Sequence, residues 1–247
     1  MTITKYDASG NNFVIFHTNK RDDYSQLAIK LCKEENTDGL IVLVPHMVFD
    51  FEWLFYNRDG STASMCGNGT RAVAHYAFEN RIASNYMKFL TGAGEIDCRV
   101  DDDIVETTMT KPKELKAPFI QDGFQWWHVD TGVPHLVTIV DDLEKFDLEL
   151  SSKMRYQYNA NVNFAKIEDG KLLVRTYERG VEGETLACGT GMTACFLRAV
   201  NLNLIGDSVD VIPKSGEILS LRKDAKSIYF KGKVTKEYTK EIDEKDI

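Results

Sequence analysis

The chain has 247 residues, of which 43% are hydrophobic, and a formal net charge of −8. This length suits one large domain or two of about 120 residues, with enough apolar residues for a buried core. No basic stripe and no run of 18 apolar residues occurs, which argues against nucleic-acid and membrane partners and favours a small-molecule ligand.

The cysteine content predicts a reducing compartment. The chain has five cysteines, an odd number, with no CxxC spacing, and its first residues lack the apolar region of a signal peptide. We therefore expect a cytoplasmic protein with free thiols. A homodimer is compatible with the sequence, but no stretch marks its surface.

The first half alternates short apolar runs with two helical patterns. Apolar residues recur at helical spacing after Asp22 and Asp23, either of which can cap a helix. Residues 57–61 have the composition of a turn. Residues 72–80 are apolar on most sides, which predicts an enclosed helix. Strands are predicted at 12–16, 40–44, 49–55, 86–90, 95–100 and 104–109.

The second half repeats this scheme. An apolar stretch at 192–202 predicts a second enclosed helix. The charged tail at 236–247 is expected to fray. Strands are predicted at 126–130, 136–140, 162–167, 172–177, 208–212, 217–221 and 227–231.

A cysteine-containing heptapeptide occurs twice, as CGNGTRA at 66–72 and CGTGMTA at 188–194. The same offset of 122 positions aligns Gly10 with Gly132, Ala77 with Ala199, and a Gly-Glu-Ile triplet in each half. We predict an α/β fold (α+β mixed) of two pseudo-symmetric domains, each a curled mixed sheet around a central helix. The expected domains are 1–115 and 116–247, with the boundary near 112–123, where Pro112, Pro118 and Gly123 punctuate a polar stretch. The active site is expected at the domain interface.

The two cysteines, Cys66 and Cys188, each precede a glycine-rich helix start. Exposed N–H groups and the helix dipole there favour a thiolate and bind anions. If both sulfurs flank one substrate α-carbon, one can remove the α-proton while the other delivers a proton to the opposite face. Negative charge would flow into the substrate carboxylate, stabilised by backbone donors at four positions. These donors are Gly67, Asn68, Gly189 and Thr190.

Two other interpretations of the cysteines were weighed. Cys32, Cys98 and Cys195 have no Gly-x-Gly beside them and are interpreted as core packing. A zinc site would need more ligands at metal-like spacing, and no His or Cys cluster supplies them, so no metal is predicted.

The chain resembles the diaminopimelate epimerase family, whose members need no cofactor and consist of two pseudo-symmetric α/β domains. The resemblance extends over nearly the whole chain. The matching segments are 10–13 (GNNF), 56–61 (YNRDGS), 66–71 (CGNGTR), 132–135 (GVPH), 177–180 (YERG) and 183–191 (GETLACGTG).

The resemblance implies that Cys66 and Cys188 form the acid–base pair, and that the four backbone donors named above hold the reacting carboxylate. It implies that His135 and Glu178 lie near the thiols and adjust their pKa values. Arg179 with Asn57 and Asn161 can grip a distal carboxylate. The implied substrate contacts are Asn11, Asn57, Asn161, Glu178 and Arg179.

The implied activity is the interconversion of LL- and meso-diaminopimelate, which serves lysine and peptidoglycan precursor synthesis. Asn12 replaces a frequent Asp of the family, while Gly39 and Val133 replace the Gln and Asn of some members. Two alternatives stay open: a racemase of another amino acid on the same fold, and a non-catalytic amino-acid-binding module.

Overall fold

The computed structural model describes residues 1–242. They fold into two compact units: the first contains Met1–Thr108 and the chain from Gly232 onward, and the second contains Met109–Lys231. The strands are β1 (Thr2–Ala8), β2 (Asn11–His17), β3 (Gly39–Val44), β4 (Phe51–Asn57), β5 (Tyr86–Thr91), β6 (Gly94–Asp101), β7 (Ile104–Thr108), β8 (Lys113–Gln121), β9 (Phe124–Asp130), β10 (Pro134–Ile139), β11 (Asn161–Glu168), β12 (Lys171–Glu178), β13 (Gly183–Thr185), β14 (Ser208–Pro213), β15 (Leu219–Lys223), β16 (Ile228–Lys233) and β17 (Thr235–Glu241). The α-helices are α1 (Ser25–Glu35), α2 (Gly67–Glu79), α3 (Leu148–Tyr158) and α4 (Gly189–Asn201).

The first unit is a mixed sheet. β1 pairs antiparallel with β2 and with β17. β2 runs parallel to β3, β3 antiparallel to β4, β4 parallel to β5, and β5 antiparallel to β6. Parallel neighbours need a crossover segment, and α1 and α2 supply the crossovers from β2 to β3 and from β4 to β5.

The second unit repeats these pairings in the same order. β9 pairs antiparallel with β8 and β10, β10 runs parallel to β11, and β11 antiparallel to β12. β12 runs parallel to β14, which pairs antiparallel with β15. α3 and α4 supply the corresponding crossovers.

The internal repeat is confirmed at residue level. The bounds of α2 and α4, of β1 and β9, and of β5 and β14 each differ by 122 positions. The strand register repeats too, since Phe13 lies opposite Gly39 in the first unit and His135 lies opposite Asn161 in the second. The predicted α/β fold of two similar curled sheets is therefore correct.

Each unit encloses one helix, as the sequence predicted. Ten of the thirteen residues of α2 and eleven of the thirteen of α4 are buried. α2 contacts β1, β2, β6 and β7, while α4 contacts β9 to β12 and β14. Burial of nearly the whole circumference explains why both helices lack a polar stripe.

Most of the polar stretch 112–123, near which the domain boundary is predicted, forms β8. β8 pairs with β9 across a hairpin whose turn residues, Asp122 and Gly123, have φ of 52° and 80°. Pro118, which has no N–H to donate, lies where the register of this pair shifts. The first stretch of the first compact unit ends at Thr108, and the boundary between 1–115 and 116–247 stays a prediction.

The fraying predicted for 236–247 does not describe residues 236–241, which belong to β17. This strand pairs with β1 over six residue pairs, from Thr2 opposite Glu241 to Asp7 opposite Thr235. The amino group of Met1 and the carbonyl of Ile242 extend the pairing at 2.7 Å. Residues 243–247 of that prediction lie outside the described part of the chain.

Most predicted strands and both enclosed helices are found with small shifts, but three elements carried no prediction. β1 and the short β13 were not assigned. α3 was also missed, although Asp147 caps it by accepting a hydrogen bond from the Leu150 N–H at 2.7 Å. The strand expected at 49–55 begins at Phe51, because the N–H groups of Val48 and Phe49 both turn toward His46 Nδ1.

Candidate active site

Cys66 occupies the N-cap of α2. Its backbone is extended (φ −147°, ψ 111°), and its sulfur accepts a hydrogen bond from the Gly69 N–H at 3.3 Å. The sulfur thus takes the place that a serine or aspartate oxygen usually holds at a helix start. A Cβ added at Gly69 would lie 3.3 Å from the Cys66 Cβ, so glycine leaves room for the cysteine cap.

Asn68, in the first turn of α2, has a buried side chain held on both sides. Its Nδ2 donates to Asn11 Oδ1 at 2.6 Å, and its Oδ1 accepts from Arg71 Nη2 at 2.8 Å. Arg71 is fully buried and also donates to Ser9 Oγ and to the Lys233 carbonyl. Asn11 and Asn68, both predicted substrate contacts, are therefore hydrogen-bonded to each other, and Arg71, which carried no prediction, orients Asn68.

Asn11 and Asn57 lie at strand ends in the first unit. Asn11 begins β2 and donates to Asp38 Oδ2 at 3.3 Å, while Asn57 ends β4 and donates to Ser61 Oγ at 3.0 Å. Both amides therefore sit on short polar turns rather than in the core, and each is partly exposed.

Cys188 occupies the N-cap of α4, again with an extended backbone (φ −128°, ψ 105°). Its side chain receives no capping N–H bond, and its sulfur lies 3.5 Å from Thr190 Oγ1. Cys188 is 8% exposed. The two cysteines hold the same position in the repeat but have different hydrogen-bond surroundings.

His135 is fully buried on β10 and makes two polar contacts at 3.0 Å and a longer one, from Nε2 to Asn161 Nδ2, at 3.5 Å. Nε2 lies 3.0 Å from Thr190 Oγ1, and Nδ1 lies 3.0 Å from Asn163 Nδ2. Burial lowers the pKa of His135 to about 3, because a charged imidazolium would lose its water. His135 is therefore a neutral imidazole near neutral pH, and its contact with Cys188 runs through Thr190.

The depressed pKa of His135 predicts an acid-sensitive fold. Below a pH of about 6.5, the ordinary pKa of histidine, His135 is protonated in the unfolded chain but stays neutral in the folded protein. The free energy of unfolding therefore decreases as the pH falls. His135 should lower the free energy of unfolding by roughly 1 kcal/mol for each pH unit between about pH 6 and pH 4. Urea unfolding of the wild type and of His135→Gln across this range measures it. The free energy of unfolding of His135→Gln should decrease less steeply with falling pH than that of the wild type. Equal slopes for the two proteins would contradict the prediction.

The remaining predicted contacts lie at the end of β12 and the start of β11. Asn161 Oδ1 accepts from the Arg179 backbone N–H at 2.7 Å, and Glu178 Oε2 accepts from Thr185 Oγ1 at 2.8 Å. The Arg179 guanidinium donates to the Asn159 carbonyl at 3.1 Å. Asn161 and Arg179 are thus in contact within the second unit, through the backbone of Arg179, and their binding of a distal carboxylate stays a prediction.

Two buried polar residues behind His135 carried no prediction: Asn163, which contacts the His135 ring, and Thr176, which contacts Asn163. Asn163 donates to the Leu136 carbonyl at 2.9 Å, and its Oδ1 accepts from Thr176 Oγ1 at 2.9 Å. Both are buried on β11 and β12. The available signal was an asparagine between two apolar residues in a strand that is otherwise buried.

Clusters of metal-binding side chains and membrane-spanning helices are both lacking within residues 1–242. No group of three or more His, Cys, Asp and Glu side chains in this range is placed to hold a metal ion. In the same range no helix has the length and apolar character needed to span a bilayer.

Comparisons with known proteins agree with the geometry. The family model described as diaminopimelate epimerase matches residues 3–115 and 127–237. The diaminopimelate epimerase of Nitratiruptor sp. is 55% identical over 240 residues, 96% of each chain. That of Campylobacter lari is 53% identical over 95% of this chain and 96% of its own. The chain belongs to the diaminopimelate epimerase family.

The comparison with solved structures shows the same fold in a distant protein. The crystal structure of a hydroxyproline epimerase from Agrobacterium vitis, with bound trans-4-hydroxy-L-proline, superposes with a TM-score of 0.70 at 14% identity. The match covers 97% of this chain and 91% of that one. As a member of the diaminopimelate epimerase family, this chain is an isomerase.

Two departures from the diaminopimelate epimerase pattern have local physical reasons. A Cβ at Gly39 would lie 2.9 Å from the Tyr56 carbonyl and 3.1 Å from the Phe55 ring. A side chain as long as glutamine therefore does not fit at this position. Asn12 lies between the carboxylates of Asp7 and Glu237 and, with its amide turned to satisfy them, donates to both at 3.2 and 2.9 Å. An aspartate there would add a third carboxylate. Nothing in the structure explains Val133.

Proposed function

We propose that this protein interconverts LL- and meso-diaminopimelate by two-base proton transfer, with Cys66 and Cys188 on opposite faces of the substrate α-carbon. One thiolate removes the α-proton, and the opposite thiol delivers a proton to the other face. The stereocentre inverts, and each turnover exchanges the roles of the two sulfurs. The sulfurs titrate as a coupled pair, because ionisation of one disfavours ionisation of the other.

One observation carries this proposal: both cysteines cap an enclosed 13-residue helix at equivalent positions of the repeat. A helix N-terminus supplies unpaired backbone N–H groups and a partial positive charge, which suit a thiolate and a carboxylate alike. Family membership makes the substrate an amino acid with two amino-carboxylate ends. Two such helix starts then provide donors for one reacting carboxylate.

Charge stabilisation would come from the first turns of α2 and α4. As the α-proton leaves, negative charge develops on the carboxylate as an enediolate. We assign the backbone N–H groups there to this charge, since a single such donor is worth about 3 kcal/mol in acyl-transfer enzymes. No cofactor is needed when thiols carry the proton and donors hold the charge. The assigned donors are Gly67, Asn68, Gly189 and Thr190.

The distal end of diaminopimelate carries an ammonium and a carboxylate that need partners of opposite charge. We assign the carboxylate to Arg179 with Asn57 and Asn161, because charge-assisted bonds to a guanidinium are strong and directional. Glu178 is assigned to the ammonium. Asn11, held by Asn68, is a further substrate contact.

The deciding experiment is α-proton exchange in deuterated water. LL-diaminopimelate should gain deuterium at Cα and appear as the meso isomer, followed by NMR. L-Lysine is the matched control, since it keeps both amines but lacks the distal carboxylate, and should exchange far more slowly. Comparable exchange of lysine or proline would favour a racemase of another amino acid. Binding of diaminopimelate without any exchange would favour a non-catalytic module.

The proposal includes the setting in which the protein works. None of the five cysteines, all within residues 1–242, forms a disulfide, which fits a cytoplasmic enzyme of lysine and peptidoglycan precursor synthesis. Its partner is the small amino-acid substrate, with neither nucleic acid nor membrane involved. Assembly as a homodimer belongs to the same proposal and is measured by sedimentation.

A further inference from the structure

The buried polar groups behind Cys188 form a chain whose hydrogen-bond directions can be worked out. The Leu136 carbonyl only accepts, and it lies 2.9 Å from Asn163 Nδ2. Thr176 Oγ1 donates to Asn163 Oδ1 from the other side at 2.9 Å. These two partners fix the amide orientation of Asn163, because a flipped amide would place oxygen against oxygen at Leu136.

The orientation of Asn163 fixes the tautomer of His135. The second N–H of the amide lies 3.0 Å from His135 Nδ1, which must therefore accept. A neutral imidazole with an accepting Nδ1 carries its proton on Nε2. Nε2 lies 3.0 Å from Thr190 Oγ1, so the imidazole donates to the hydroxyl oxygen. The Asn161 Nδ2 is farther from Nε2, at 3.5 Å, and donates to the Pro134 carbonyl at 3.4 Å.

The Thr190 hydroxyl is left with a proton to donate, and the Cys188 sulfur lies 3.5 Å from its oxygen. We infer that Asn163 and His135 are positioning residues that make the Thr190 hydroxyl a hydrogen-bond donor to Cys188, so that this sulfur is held as a thiolate. The inference rests on the proposed function for its catalytic meaning. His135 acts on Cys188 only through Thr190 in this arrangement and takes no proton itself.

The first unit has no counterpart of this relay. At the equivalent positions, 122 residues earlier, stand Phe13, Ile41 and Leu54 in place of His135, Asn163 and Thr176. Asn68 replaces Thr190, and its side chain is engaged with Asn11 and Arg71. Cys66 receives the Gly69 N–H instead. The relay therefore acts on one sulfur of the pair.

Alkylation of single reactive cysteines tests the relay without any substrate. Thr190→Val keeps the shape of the side chain but removes the hydroxyl, whereas Thr190→Ser keeps the hydroxyl. In a Cys66→Ala background, Thr190→Val should slow iodoacetamide alkylation of Cys188 near neutral pH by about tenfold, the size of a hydrogen bond to a charged group. Thr190→Ser should restore the rate. In a Cys188→Ala background, Thr190→Val should leave the rate of Cys66 alkylation unchanged.

The tautomer is read separately from nitrogen-15 NMR of the His135 ring in the wild type. A proton on Nε2 is expected, and a proton on Nδ1 or on both nitrogens would overturn the relay. Equal slowing of Cys66 and Cys188 by Thr190→Val would also overturn it, because that pattern means general damage. If the wild type does not exchange the α-proton of diaminopimelate, the proposed function is refuted. The alkylation rates and the NMR tautomer would still test the relay in that case.

Discussion

Cys66→Ala and Cys188→Ala are each expected to stop interconversion of LL- and meso-diaminopimelate while preserving exchange in one stereoisomer. With one sulfur removed, the other can still take the α-proton from its own face and return a deuteron to that face. A positioned general acid or base contributes about 10²–10⁴ in rate, so inversion should fall by at least that factor. Proton NMR in deuterated water measures exchange and inversion together.

The pattern across the two variants is the informative result. Each should label only one of the two stereochemical forms, and the labelled form should differ between them. Cys32→Ala is the matched control, since Cys32 is buried in α1 and should leave turnover unchanged. A non-catalytic module would bind diaminopimelate in all three variants and exchange in none. Inversion surviving in either cysteine variant would contradict the two-base proposal.

Gly191→Ala is expected to destabilise the protein far more than the equivalent Gly69→Ala. A Cβ at Gly191 would lie 2.4 Å from Asn163 Oδ1, and Asn163 cannot withdraw without breaking its bonds to Leu136 and Thr176. Overpacking in a core costs about 1–3 kcal/mol, and each lost buried hydrogen bond adds about 1 kcal/mol. We therefore expect a loss of roughly 3 kcal/mol at Gly191.

Gly69→Ala is the matched control because Gly69 holds the same position in α2. A Cβ there meets the Cys66 Cβ at 3.3 Å and the tip of the Ile41 side chain at 3.4 Å, contacts that small shifts relieve. The gain of about 1 kcal/mol for alanine over glycine within a helix should offset much of this cost. Urea unfolding of both variants measures the difference. Equal losses would show that Asn163 moves more freely than its hydrogen bonds indicate.

The repeat made most of the fold predictable. One offset, first seen in the two cysteine heptapeptides, recurs in helix bounds, strand bounds and register. The enclosed helices were predictable because a helix that is apolar on all sides is stable only when it is buried. Cys66 and Cys188 were predictable as equivalent N-caps because both stand directly before Gly-x-Gly.

The boundaries and the polar core were harder to predict. Polar composition, two prolines and Gly123 suggest a domain boundary near 112–123. The Asp122-Gly123 pair marks a hairpin there, because both residues adopt the positive φ that a tight hairpin turn needs. Asn163 and Thr176 could not be assigned to a site from sequence, since Asn163 acts through its contact with His135 on the neighbouring strand and Thr176 through its contact with Asn163. Pairing of that kind appears only once the register is known.

The pairing of β17 with β1 has a consequence for biosynthesis. The second unit is contiguous in the chain, so it can complete its sheet as soon as Lys231 has left the ribosome. The first unit emerges earlier, yet β1 gains its outer neighbour only when β17 has been made, some 235 positions later. Until then β1 presents an open edge to the nascent chain's surroundings, and unpaired edges invite wrong pairing. The unit that is translated first is therefore the one that finishes folding last.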